Sequence, residues 1–172
     1  MRITITEAEK VKVWDFLKTN NVGNRGEADG LRIHQYIGLL GEMKVHQAFK
    51  MPFTFSEGFD GGFDMEINGL KADVKTMGRN VDMKPDYVHN FSGLQKHFKC
   101  DLYIFTSLNK KTSEVTICGW VTKEELFERA EKFKKGTKRY RDNGTVTVLK
   151  CTTYEVKNKD LNPIKDLLNE TR

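Results

Sequence analysis

The stretch Gly62-Phe63-Asp64-Met65-Glu66-Ile67-Asn68-Gly69-Leu70-Lys71-Ala72-Asp73-Val74-Lys75-Thr76 decides the fold. Phe63, Met65 and Ile67 alternate with Asp64 and Glu66, the period-two pattern of a strand with one apolar face. Asn68-Gly69 is a strong signal for a type I′ hairpin turn, because both central positions need positive φ. Leu70, Ala72, Val74 and Thr76 then read as the returning strand, with Asp73 and Lys75 on its other face. A two-residue turn sets Ile67 opposite Leu70, which carries Asp64 to a position opposite Asp73. Directly opposed residues lie only ~4.5–5.5 Å apart, so two carboxylates there repel unless something compensates them. A divalent cation is the obvious compensation, and Mg²⁺ prefers such hard oxygen ligands.

The surroundings supply further chemistry. Lys75 lies one strand step beyond Asp73 and can orient a water, while the Val74 carbonyl between them offers another oxygen ligand. A helix is expected over about 31–49, where Ile33, Tyr36, Ile37, Leu40, Val45, Ala48 and Phe49 recur near helical spacing. It carries Glu42, whose carboxylate reaches the same place if the helix crosses the hairpin. Gly38 and Gly41 weaken this helix and would let another backbone approach it. Asp60, in Gly58-Phe59-Asp60, competes with Asp64; the hairpin register favours Asp64, and Asp60 suits a glycine-rich turn.

Elsewhere, capping boxes at Thr6-Glu7-Ala8-Glu9 and Thr122-Lys123-Glu124-Glu125 open helices to about Leu17 and Phe133. Strands are expected at 102–108, 114–121, 146–149 and 152–156, with short helices at 91–98 and 162–168 and a polar loop at 77–90. The expected architecture is α/β, a central mixed sheet flanked by helices, in one domain over 1–172.

Net charge is +5 with 31% charged residues, a balance that favours an anionic partner. No apolar run approaches the ~20 residues of a membrane span. The first residues show no secretory signal, and Cys100, Cys118 and Cys151 form no metal or disulfide pattern, so a cytoplasmic protein with reduced cysteines is expected. Residues 129–141 hold seven basic side chains, among them Lys135, Lys138, Arg139 and Arg141. They read equally as a solvated helix end or as a phosphate-tracking patch, with Tyr140 available to stack. Lys96 and Lys99 flank His97 and are further candidates for phosphate contact. His34, His46, His89 and His97 show no zinc-helix pairing and read as surface or core-edge histidines.

Glu42 on its helix, Asp64, and the Asp73-Val74-Lys75 triplet on a hairpin resemble the core of the PD-(D/E)XK nuclease superfamily. Cys100-Asp101-Leu102-Tyr103-Ile104-Phe105 resembles that family's next core strand, and Gly119-Trp120-Val121-Thr122 resembles the strand-to-helix turn of small phage and homing members. The resemblance covers about residues 31–128, with Phe63 rather than proline before Asp64, a proline that many members also lack. It implies a restriction-endonuclease-like core and Mg²⁺-dependent hydrolysis of DNA phosphodiesters, with Mn²⁺ able to substitute. Glu42, Asp64, Asp73 and Lys75 would be catalytic. Glu42, Asp64, Asp73 and Val74 would hold the metal, and DNA and a second protomer would be partners. The alternatives are a Holliday-junction resolvase-like enzyme and a non-catalytic nucleic-acid-binding module of the same fold.

Overall fold

The computed structural model describes residues 1–23, 30–56, 62–140 and 144–169; Asp60 and Arg141 lie outside them. The chain opens with β1 (Arg2–Thr4) and α1 (Glu7–Thr19), followed by α2 (Arg32–Ala48). The hairpin is β2 (Met65–Ile67) and β3 (Leu70–Arg79). Asn68 and Gly69 both have positive φ, 53° and 78°, and Ile67 pairs with Leu70, the register that the two-residue turn demands.

After β4 (Val88–Ser92) come β5 (Leu102–Asn109), β6 (Glu114–Thr122) and α3 (Lys123–Arg129). Then follow β7 (Glu131–Phe133), β8 (Lys138–Tyr140), β9 (Val146–Val148), β10 (Thr153–Lys157) and α4 (Ile164–Asn169). The main sheet has the order β1-β6-β5-β3-β2, with β3 and β5 parallel and the other neighbours antiparallel. The architecture is therefore mixed α/β around a mixed five-stranded sheet. Its centre is β5, buried along its whole length.

The two sheet faces are covered differently. Leu102 and Ile104 of β5 pack with Ala72, Val74, Val45, Ile164 and Leu167, so α2 and α4 lie on one face. Tyr103 and Phe105 point the other way, to Phe91, Tyr154, Val156 and Leu126. That second face carries α3 and a small antiparallel sheet, β4-β10-β7.

Three sequence expectations fail here, the first because residues 77–79 continue β3 to Arg79 instead of opening the polar loop. Residues 88–92 form β4 rather than loop and helix, and the helix expected to reach Phe133 stops at Arg129, giving way to β7. Both strands are short, and pairing with β10 decides them: Phe91 sits opposite Tyr154, and Phe133 opposite Thr153.

Helix α1 is fixed by its cap and by one buried cation. The Thr6 hydroxyl accepts from Glu9 N–H (3.3 Å), and Glu9 Oε2 accepts from Thr6 N–H (2.7 Å). The same carboxylate receives the Nζ of buried Lys44 from α2, at 2.6 and 2.8 Å. Burial pushes the Glu9 pKa up, but the hydrogen bonds from Lys44 and Thr6 outweigh it and hold the carboxyl below its ordinary value.

Helix α2 comes close to β3 at Gly41. A methyl there would sit within 2.8 Å of Thr76 Cβ, whose hydroxyl accepts a hydrogen bond from Thr106 Oγ1 at 2.9 Å. What approaches is a side chain rather than a backbone, and Gly38, which the sequence reading paired with Gly41, meets nothing within 4 Å. Gly41→Ala should overpack this crossing and destabilise the fold by about 1–3 kcal/mol in urea unfolding. An unchanged midpoint would show that α2 can shift freely.

The second sheet holds a buried histidine. Asn158 Nδ2 donates to the Lys84 carbonyl (2.7 Å), which leaves Asn158 Oδ1 as acceptor for His89 Nε2–H at 2.8 Å. Burial and the nearby charge of Arg79 push the His89 pKa down from 6.5 to about 3, against the opposite pull of Asn158. The folded state thus binds fewer protons than the unfolded state, so His89 contributes stability above pH 6.5 that is lost as pH falls toward 3. The stability gap between wild type and His89→Gln should be flat above pH 6.5. Below it, the gap should change by up to about 1.4 kcal/mol per pH unit in urea titrations. A pH-independent gap would contradict the neutral buried imidazole.

Candidate functional site

The site forms where β2 leaves β3. The paired register ends at Met65–Ala72, although β3 continues to Arg79. Along a strand, the N–H and C=O of alternate residues point to the same side. Asp64 N–H donates to the Ala72 carbonyl at 2.9 Å, so Ala72 and Val74 both present their backbone groups to the β2 side. Regular continuation of the ladder would give Val74 N–H to the Phe63 carbonyl. Instead Asp64 Oδ2 accepts it, at 2.6 Å. The expectation that Asp64 would sit paired opposite Asp73 is therefore corrected: the ladder stops one residue short, and the Asp64 side chain takes the place of a ladder carbonyl.

Asp73 is buried on the face that β3 shares with Tyr103, its neighbour in register on β5. Lys75 Nζ lies 2.7 Å from each of its carboxylate oxygens. The charge compensation that sequence reasoning assigned to a cation is thus provided here by Lys75 for Asp73 and by the main chain for Asp64.

Helix α2 lies beside the open edge. Gly41 abuts Thr76, Ile37 abuts Gly78, and Val45 clusters with Val74, so α2 runs antiparallel to β3. One helical turn spans ~5.4 Å, which puts Glu42 near the level of Lys75 and His46 near that of Val74. A cleft of about 380 Å³ opens between these elements. Glu42, Asp64, Asp73, Val74 and Lys75 all line it, as do Gln35 and His46.

Gln35, on which the sequence gives no signal, and His46, expected as a surface or core-edge histidine, also belong to the lining. Gln35 Nε2 donates to Asn21 Oδ1 (2.9 Å) and to the Gly30 carbonyl (2.7 Å), which fixes Oε1 as its acceptor. His46 Nδ1 lies 2.8 Å from the Pro52 carbonyl, so Nδ1–H is the donor in this contact. Gln35 Oε1 and His46 Nε2 are both buried without a hydrogen-bond partner among the described residues. The signal available in the sequence was the four-residue step from Glu42 to His46, which puts both on one helix face.

The oxygen donors here, three carboxylates and the Val74 carbonyl, are of the type Mg²⁺ takes. Their chemistry fits the ion, but their spacing does not close on one. Among the described residues, no three His, Cys, Asp or Glu side chains lie close enough to hold a metal.

The candidate nucleic-acid residues lie apart from the cleft lining. Lys96, Lys99, Lys135 and Lys138 are exposed, with Lys96 Nζ 4.8 Å from the centroid of the Phe127 ring. Arg139 is committed elsewhere. Its Nη2 donates to Glu155 Oε2 at 2.8 Å, its guanidinium lies 3.7 Å from the Phe133 centroid, and Glu155 is buried. Arg139 thus carries an internal ion pair besides its place in the basic run, and it does so where Glu155 and Glu131 sit opposite each other across the strands. Comparison with protein-family models, curated proteins and solved structures finds no match to this chain.

The Asp73–Lys75 pair makes Lys75 structural as well as chemical. Removing one partner of a buried ion pair leaves an uncompensated charge and costs about 3 kcal/mol or more. Lys75→Ala should therefore lower stability in urea unfolding, and adding Asp73→Asn should recover most of the loss. Equal stability of wild type and Lys75→Ala would mean that the pair contributes nothing.

Proposed function

We propose that the chain is a PD-(D/E)XK-type nuclease that hydrolyses DNA phosphodiester bonds with Mg²⁺, or with Mn²⁺ in its place. The observation that carries this reading is that Glu42, Asp64, Asp73, Val74 and Lys75 line one cleft at the unpaired edge of β3. In this reading Glu42, Asp64, Asp73 and the Val74 carbonyl would hold the ion, after closing to a spacing that the described residues do not have. When bound, such an ion polarises the phosphoryl oxygen and lowers the pKa of a bound water.

The protein's own residues do the rest. Asp64, held by Val74 N–H, fixes the position of the β3 backbone at the cleft. Lys75 directs its ammonium into the site and, when released from Asp73, stabilises negative charge on the phosphate or orients the attacking water. Glu42 anchors the opposite wall from α2. An endonuclease of this kind acts alone or, as in the resolvase-like variant, as a homodimer on branched DNA.

A second reading, a nucleic-acid-binding module without catalysis, draws on the same Asp73–Lys75 contact, because a paired carboxylate needs no metal. The two separate in one assay. With Mg²⁺ or Mn²⁺, wild type should nick plasmid, and Glu42→Gln, Asp64→Asn and Asp73→Asn should each slow nicking by about 100-fold or more. Calorimetric titration of the ion should show binding to wild type and its loss in Asp73→Asn. No nicking of plasmid, linear, single-stranded or branched DNA, together with no metal binding, would overturn the nuclease reading.

A further inference from the structure

The β8–β9 pair is a two-stranded ribbon that shares no strand with either sheet. Such a ribbon is marginal alone and needs an anchor. Its root is fixed by Gly136 N–H to the Leu149 carbonyl (2.8 Å), Leu149 N–H to the Thr137 carbonyl (3.0 Å), and the burial of Leu149. Arg139, in the middle of β8, turns to Glu155 and Phe133 and ties one face of the ribbon to the body.

Alternation then fixes what the other face presents. Lys138 pairs with Val148 and Tyr140 with Val146, so these four side chains share the face opposite Arg139. That face is open. Tyr140 is 72% exposed, Val148 55% and Val146 50%, and Lys138 is exposed too. A cluster of exposed aromatic and β-branched side chains on a small strand pair gains nothing from water and marks a contact surface. Its charge selects the occupant: Lys134, Lys135, Lys138 and Lys150 are all exposed around it, with no exposed acid among the described residues from 132 to 150.

We infer that this ribbon is a contact arm for nucleic acid with unpaired bases. Tyr140 stacks on a base, Val146 and Val148 shield the stack, and Lys135 and Lys138 lie along the phosphates. The choice of an anionic polymer rests on these exposed lysines, and its link to catalysis rests on the nuclease reading. The choice of unpaired bases rests on the ribbon itself, because an exposed aromatic ring has a π-face to offer only where bases are unstacked. The arm therefore directs the enzyme to single-stranded, frayed or branched substrate.

The test is fluorescence anisotropy of the full chain in EDTA, with a labelled single-stranded oligo-dT and a blunt duplex of equal length. Tyr140→Ala should weaken single-strand binding about 5-fold or more and leave duplex affinity unchanged, while Tyr140→Phe retains wild-type affinity for both. Lys135→Ala with Lys138→Ala should weaken both and reduce the single-strand salt slope by about 0.7 per lost contact. Unchanged single-strand affinity in Tyr140→Ala overturns the inference. So does a wild-type dimer in sedimentation that Tyr140→Ala converts to monomer without altering single-strand binding, since the face would then serve a second copy of the chain. The two proposals fail separately. Metal-dependent nicking with neutral arm variants removes the arm alone. Tyr140-dependent single-strand binding without any nicking removes the nuclease alone.

Discussion

A single mismatch of lengths organises the site: β3 is a strand of ten residues, and β2 pairs with only its first three. Beyond Ala72 the β2 side of β3 has no strand partner among the described residues, which leaves backbone donors and acceptors that must be satisfied or solvated. Asp64 answers the first of these by accepting Val74 N–H. The next group on that side is the Val74 carbonyl. The other edge of β3 is paired with β5, and α2 packs on its face at Gly41 and Thr76. A β2 longer by two residues would close the ladder over Val74 and remove the cleft. The chain instead turns away at Asp64 and uses that residue's side chain as the last rung.

Charge in the cleft follows from the same geometry. Once the ladder ends at Met65, Asp64 and Asp73 are no longer forced into a cross-strand pair, so the like-charge argument for an ion loses its premise. Asp73, buried among the neighbours of Tyr103, needs a counter-charge, and Lys75 two residues along the same face is the nearest means. The case for a cation therefore rests on the oxygen donors collected around the cleft rather than on unrelieved repulsion.

What the sequence made legible was local. Thr6 and Thr122 capping boxes, the Asn68-Gly69 turn and the alternation through β3 act over a few residues and were readable directly. What depended on distant partners was not. Val88-His89-Asn90-Phe91-Ser92 alternates weakly and becomes β4 only because β10 lies beside it. Glu131-Lys132-Phe133 continues a helical pattern but pairs with β10 instead. Arg139 belongs to a basic run, and only the fold reveals that it neutralises Glu155, sixteen residues later in the chain. In the cleft, Lys75 follows from strand spacing, and Glu42 from its place on the preceding helix and the family resemblance. Gln35 and His46 became visible only through the segments that reach them, Asn21, Gly30 and Pro52.

The polarity of the cleft bears on which readings are compatible with each other. Its described walls carry three carboxylates and the amide oxygen of Gln35, all acceptors, beside the imidazoles of His34 and His46 and the hydroxyls of Thr54 and Ser56. Lys75 is the one Lys or Arg among the described lining residues, and its ammonium is engaged by Asp73. A phosphodiester is itself an anion and an acceptor, so entering such a site alone would set like charges together in a partly desolvated space. Phosphodiester chemistry in this cleft therefore requires positive charge from outside the described lining. If no cation binds, the same walls suit a donor-rich or cationic ligand instead. The nuclease reading and the metal stand or fall together here, whereas the basic ribbon at β8–β9 can hold nucleic acid without either.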